Sequence, residues 1–260
     1  NFVLGRDLAL AGAKIQVQRE GDALSLQMQE GGFGTGQVSG QMTIRRDGGR
    51  LGMTVRLSAK DMALADLLGV QSGWGGQVGF VLDGGSSGSS IAELVSRSSG
   101  AGVLTWRQGQ ISALDPAAIG RVVSSVKGMP ELARLRADMG RELQQAPFTF
   151  DKIDVPLSLS DGVLRMASVM IANDTAPLQM SGVFDLRAVT AEARLSMIAK
   201  SPAGWKGPSP DVQIGVSRSA DGTLLRDVNV NSLFALLTTR AVEIETDRLI
   251  EEQKKQNTSP

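Results

Sequence analysis

The chain has no histidine, no cysteine and no tyrosine among its 260 residues. Histidine is the usual general base and nitrogen ligand near neutral pH, and cysteine is the strongest side-chain nucleophile. Their absence excludes thiol catalysis, Ser-His-Asp triads and zinc centres built on nitrogen or sulfur ligands. Carboxylate and Ser-Lys chemistry stays open. An excess of positive charge is missing too, since Lys+Arg and Asp+Glu are both 27. No basic field is left over to hold a phosphate backbone, so nucleic acid is not an expected partner. No run of 18 apolar residues occurs, so no segment reads as a transmembrane helix, and no signal peptide is visible. Zero cysteine suits the bacterial periplasm and the cytosol equally.

What is present is alternation. Leu24, Leu26 and Met28 alternate with Ser25, Gln27 and Gln29. Val38, Gly40, Met42 and Ile44 alternate with Ser39, Gln41, Thr43 and Arg45, and Met53, Val55 and Leu57 continue the pattern. Further on come Leu164 and Met166, then Met180, Phe184 and Leu186, then Leu195 and Met197. Period two with one apolar and one wet face is the pattern of antiparallel strands covered on a single side. Asp-Gly steps at Arg46-Asp-Gly-Gly-Arg50, Asp161-Gly162 and Asp221-Gly222 suit tight hairpins, and Gly109 is expected to make another.

The strands are written twice. Ser39-Gly-Gln-Met-Thr-Ile-Arg45 returns as Ser181-Gly-Val-Phe-Asp-Leu-Arg187, and each copy is preceded by an alternating run that an acidic turn opens. A repeated strand–strand–strand unit predicts an extended sheet. Helical pattern is expected at 61–68 with Asp61 as N-cap, at 89–96 and at 115–145, with Pro116 at the first helical position and a break at Gly128-Met-Pro130 before the helix resumes at Glu131. A last helix is expected from about Ser232 to Gln256, ending in the solvated run Glu251-Glu-Gln-Lys-Lys255. Asp83-Gly-Gly-Ser-Ser-Gly88 reads as a loop between two β-modules, 1–82 and 83–230, with a C-terminal helix and tail over 231–260. The opening Asn1-Phe-Val-Leu already reads as strand, which suggests a piece of something longer.

Candidate sites are few. Gly32-Phe-Gly-Thr-Gly36 has glycine spacing like a dinucleotide loop but lacks the helix that must follow, so a turn is the better reading. Ser124 and Lys127 stand at Ser-x-x-Lys spacing without the partner motifs of a Ser-Lys hydrolase. Asp151 and Asp154 would point to opposite faces of a strand and cannot pair. Trp74, Trp106 and Trp205 read as packing residues, with an interfacial role as the alternative. The methionines at 28, 42, 53, 166, 180 and 197 all fall on apolar strand faces. Flexible thioethers fill irregular cores and also line surfaces that accept variable hydrocarbon. The expected helices hold too little apolar area to roof every strand.

The succession of pieces resembles the C-terminal region of the AsmA family of bacterial envelope proteins (the AsmA/TamB/YhdP group). It is carried by the strand at 22–28, by Gly34 to Gly40, by Met62-Ala-Leu-Ala-Asp-Leu-Leu68 and by Gly102 to Ile111 followed by Leu114-Asp-Pro-Ala-Ala-Ile-Gly120. Phe148-Thr-Phe-Asp, Leu159-Ser-Asp-Gly-Val-Leu164 and Ser181 to Leu186 complete it. The resemblance implies a periplasmic module tethered to the inner membrane by an N-terminal helix outside this chain. It implies β-modules stacked into a curved sheet whose apolar trough carries phospholipid toward the outer membrane, with inner- or outer-membrane proteins as further partners and no cofactor or catalytic residue.

The expectation is thus a mainly β protein with a few α-helices, an elongated, twisted antiparallel sheet forming an open hydrophobic groove. Its lining would be Leu24, Leu26, Met28, Val38, Met42 and Ile44, then Met53, Val55 and Leu57. In the second copy it would be Leu164, Met166, Met180, Phe184, Leu186, Leu195 and Met197. A dry, fully packed sheet serving as a structural scaffold is the alternative, and an enzyme is not expected.

Overall fold

The computed structural model describes residues 2–3, 9–68, 72–201 and 207–258. Two short strands, β1 (Phe2–Val3) and β2 (Ala9–Leu10), pair with each other. The remaining strands form one antiparallel sheet. They are β3 (Ile15–Glu20), β4 (Ala23–Phe33), β5 (Gly36–Asp47), β6 (Arg50–Ala63), β7 (Trp74–Gly88) and β8 (Ser99–Ile111). After them come β9 (Phe148–Ser160), β10 (Val163–Ile171), β11 (Leu178–Asp185), β12 (Thr190–Ile198), β13 (Asp211–Arg218) and β14 (Leu224–Asn229). Their spatial order is their chain order, so the 12-stranded sheet is a plain meander. It is not closed: β3 and β14 are its edges. The fold is mainly β, as the alternation implies.

Sequence dictates this locally. Gly21-Asp22, Gly48-Gly49 and Asp161-Gly162 form two-residue hairpin turns, with φ of 58° at Gly21, 52° and 87° at the next pair, and 51° and 75° at the last. Positive φ is what a turn matched to strand twist requires, and glycine adopts it without strain. The repeat survives as register. Met28 faces Gly40 before a bulge that brings Gly31 opposite Val38, and Met166 faces Gly182 before a bulge that brings Val169 opposite Met180.

Three local expectations are corrected. Asp61 does not cap a helix: β6 continues to Ala63, Asp61 sits in a bulge with φ 52°, and its carboxylate meets Arg107 at 3.2 Å. The helix that follows, α1, is only Leu64–Leu68. The segment 83–88 is not a loop but the end of β7, and the sheet runs through it without interruption. Gly84 lies opposite Gly100, and a Cβ on Gly100 would come within 2.8 Å of the Gly84 Cα, so those strands approach too closely for side chains. Gly109 makes no hairpin. β8 passes straight through it, and the Phe150 ring occupies the space where a side chain at 109 would stand.

Helices cover part of one sheet face. α2 (Ile91–Ser96) connects β7 to β8, with the N-cap Ser90 accepting a hydrogen bond from the Glu93 N–H and the Glu93 carboxylate accepting from the Ser89 N–H, one residue before the cap. α3 (Ala118–Ser125) and α4 (Leu132–Leu143) lie between β8 and β9, and α5 (Asn231–Thr258) follows β14. Ile119, Val122, Leu135, Met139, Leu143, Leu233 and Leu237 are buried in a single cluster with Met180, Leu195, Met197 and Ile214 of the sheet. Asp115, buried at the entry to α3, accepts from the Ala117 N–H and from Arg121, which also binds Glu142 of α4 at 2.5 Å. Trp106 stacks on Trp74 at 5.6 Å, meets Phe150 edge-on at 4.8 Å and donates to the Gly75 carbonyl at 2.9 Å.

The sheet curls around this helical block. β14 and β8 are six strand spacings apart, about 29 Å in a flat sheet. Arg226 of β14 nevertheless donates to the carbonyls of Ser112 and Ala113, just past β8. Among the described residues, Leu24, Leu26, Met42, Ile44, Met53 and Val55 of β4–β6 stand outside the buried cluster. The accessible surface is 15778 Å², against roughly 10,900 Å² for a compact monomer of this mass. The second half of α5, where residues 242–255 are all exposed, contributes to the excess.

Candidate functional site

Residues directly opposite in antiparallel strands point to the same face, so the registers define which side chains line up across the sheet. One line runs Val17, Leu26, Met42, Val55, Gly84, Gly100, Leu159, Leu164, Phe184 and Ala191, from β3 to β12. A neighbouring line runs Ile15, Met28, Gly40, Leu57, Leu82, Gly102, Leu157, Met166, Gly182 and Ala193. Toward the rim formed by the tight hairpins, Leu24, Ile44 and Met53 make a shorter line. The apolar residues anticipated from alternation therefore share one face and form a continuous strip across it.

They do not share one environment. Leu24, Leu26, Met42, Ile44, Met53, Val55 and Leu57 are half-buried or exposed, and all stand outside the buried cluster that the helices join. Leu164 and Phe184 stand outside it as well. Met28, Val38 and Met166 are half-buried and touch its margin. Met180, Leu195 and Met197 are different: they are 1%, 2% and 0% exposed beneath the helical block and line no open surface. Their neighbours Leu178, Val212 and Ile214 are equally sealed. Leu186 is exposed at 38% in the turn after β11, not on a strand.

The open region therefore spans β3 to β7, with a narrower continuation at Leu164 and Phe184. Across β3 to β7 it measures about 19 Å, four strand spacings, and from Leu24 to Met28 about 13 Å. α2 lies at its hairpin rim: Ser86, in line with Met53, donates to the Leu94 carbonyl at 2.5 Å, and Glu93 packs where a side chain at Gly88 would stand. Ile15, Val17 and Leu82 belong to the lining and escaped the sequence reading. The alternation Ile15-Gln-Val17-Gln was available to find the first two.

The opposite face is mainly polar, although Val81 and Val103 lie opposite each other on it and are 47% and 46% exposed. Arg56 pairs with Asp83, and Asp154 accepts from Thr105 at 2.6 Å and from Lys152 at 2.9 Å. Those hydrogen bonds, Thr105 foremost, hold the Asp154 carboxyl below its usual range. Asp151 stands away from this arrangement, three residues earlier on the strand. Ser124 donates to the Gly120 carbonyl within α3, while Lys127 lies past the end of that helix, so the Ser-x-x-Lys spacing brings nothing together. The Gly32–Gly36 segment is the β4–β5 hairpin, followed by a strand. Trp205 lies outside the described residues. A cleft of about 770 Å³ between α3 and α4 is lined largely by charged side chains, of which Arg121 and Arg141 are already paired with Glu142 and Asp138. Among the described residues no helix is long and apolar enough to cross a membrane, and no three acidic groups gather in a metal-like cluster.

No family model, curated protein or solved structure matches the chain.

Proposed function

We propose that the uncovered apolar face of β3–β7 binds hydrocarbon chains of phospholipids, and that the protein is an AsmA-like periplasmic module supporting lipid transfer between the inner and outer membranes. One observation carries the reading: cross-strand register lines up Leu26, Met42 and Val55, with Leu24, Ile44 and Met53 beside them, on a part of the apolar face that the buried core does not include.

Dimensions and energetics favour it. An acyl chain occupies half of a hydrocarbon core, about 15 Å, which fits within the 19 Å strip estimated from strand spacing. Each methylene taken from water is worth about 0.8 kcal/mol, so a chain of about 15 methylenes prefers shelter by roughly 12 kcal/mol. Bilayer and trough are both apolar, so exchange between them is nearly balanced while escape into water is not. Leu, Met and Val give a wall that adapts to variable chains. A contiguous exposed apolar strip on a chain of otherwise balanced charge is itself a sign of a binding surface.

A scaffolding role is favoured only for the other end, where Met180, Leu195 and Met197 are packed dry beneath α3–α5. The test is native mass spectrometry of protein released gently from bacterial membranes. Co-purified phospholipid is expected at about one molecule per chain, and a lipid-free protein that also takes up none on incubation with vesicles would refute the reading.

A further inference from the structure

The hairpin rim of the open strip carries charge sorted between the two sheet faces. Arg19 of β3 lies directly opposite Leu24, which lies opposite Ile44, so the register puts Arg19 on the apolar face at the end of that line. Arg46 follows Ile44 by two positions on β5 and therefore shares the same face. Glu20 lies opposite Ala23, itself opposite Arg45, and these belong to the polar face. Among the described residues neither Arg19 nor Arg46 has an ion pair. Arg19 Nε donates to the Gly21 carbonyl at 3.3 Å, and both side chains are exposed. Nearby acids are limited: Asp22 sits in the β3–β4 turn, and Glu93 of α2 is held by Ser89 and Arg97.

We infer that Arg19 and Arg46 form the headgroup end of the trough and select lipids bearing an anionic phosphate monoester, whose acyl chain lies along Leu24, Ile44 and Met53. The inference rests on the trough reading above and adds polarity to it. Two guanidinium groups stand on strands two spacings apart, about 10 Å, each on a long flexible stem, so both reach a phosphate placed between them. Guanidinium matches phosphate with paired N–H donors, and a headgroup at the rim stays in water while its chain does not. Among the described residues no such pair of arginines lines the opposite rim of the strip, where Phe33, Ala59, Met62 and Val78 are buried.

The experiment is a native mass spectrometry titration of the full chain with three lipids sharing one acyl chain: palmitoyl lysophosphatidate, palmitoyl lysophosphatidylcholine and monopalmitoylglycerol. Lysophosphatidate is expected to be retained about tenfold better than monopalmitoylglycerol, with the zwitterionic lipid between them. The double variant Arg19→Gln/Arg46→Gln should lose that preference while keeping monopalmitoylglycerol binding, and Arg45→Gln, on the other face, should keep both. Equal retention of all three lipids, or a preference that survives the double substitution, overturns the headgroup assignment and leaves the trough standing. Displacement by millimolar inorganic phosphate would mean a free-anion site and also overturn it. Failure to retain any of the three would remove the trough and the headgroup end together.

Discussion

Arg121 is the residue on which the helical block turns. It joins the buried Asp115 at the start of α3 to Glu142 near the end of α4, and these hydrogen bonds raise its own pKa further. Removing the guanidinium leaves a carboxylate that is 8% exposed without its cationic partner. Arg121→Met is expected to lower unfolding stability by about 2–3 kcal/mol, read from urea melts, and a loss below half of that would contradict the role. Acid sensitivity belongs to the same scale. Asp185 accepts from the Arg187 side chain, then from the Arg187 and Ala188 N–H groups, which hold its carboxyl well below the usual carboxylate range. A depressed folded-state pKa contributes stability that is present above the ordinary value and lost as pH falls below it. With no histidine and no cysteine, stability should be flat between about pH 5 and 8 and decline below about pH 4. Asp185→Asn should make the acid decline shallower. A step near pH 6.5 in the urea midpoint, the ordinary histidine range, would contradict this account.

At the scale of elements, strand contact governs what was legible. Period-two alternation and Asp-Gly turns marked the repeat strands, because each depends on residues adjacent in sequence. What stayed hidden depends on a neighbouring strand. Asp61-Met62 reads as a helix start because a bulge between Ala59 and Met62 shifts the alternation at that point. Gly109 reads as a turn until Phe150 is seen lying across it. Ser86 and the glycines of 83–88 read as a loop, although Gly84 must be small because Gly100 stands against it. This last point is testable. Gly100→Val would force β7 and β8 apart and is expected to destabilise by about 1–3 kcal/mol, measured by thermal or urea unfolding. An unchanged midpoint would mean the two strands are not held that close. The site was legible in the same uneven way. Met180 and Leu195 alternate just as Met42 and Val55 do, and nothing local announces that a helical block lands on the former and not on the latter.

For the whole molecule, the consequence is a division of labour along one sheet. β8–β14 curl around α3–α5, which leave only a narrow stretch at Leu164 and Phe184 outside the core, whereas on β4–β6 the hairpin-side apolar residues Leu24, Leu26, Met42, Ile44, Met53 and Val55 all stand outside it. The two copies of the repeat are thus alike in register and unlike in cover. A charge introduced at Leu195 would be buried and would unfold the protein, so it cannot report on the trough. Met42 and Gln41 are the better pair, being adjacent on β5, half-buried on the apolar face and exposed on the polar face respectively. The most direct measurement is phospholipid retention by folded Met42→Glu and Gln41→Glu proteins, quantified by native mass spectrometry after identical purification. The trough account predicts that Met42→Glu loses bound lipid at least tenfold while Gln41→Glu keeps it. Equal retention by both variants, or equal loss from both, would contradict it.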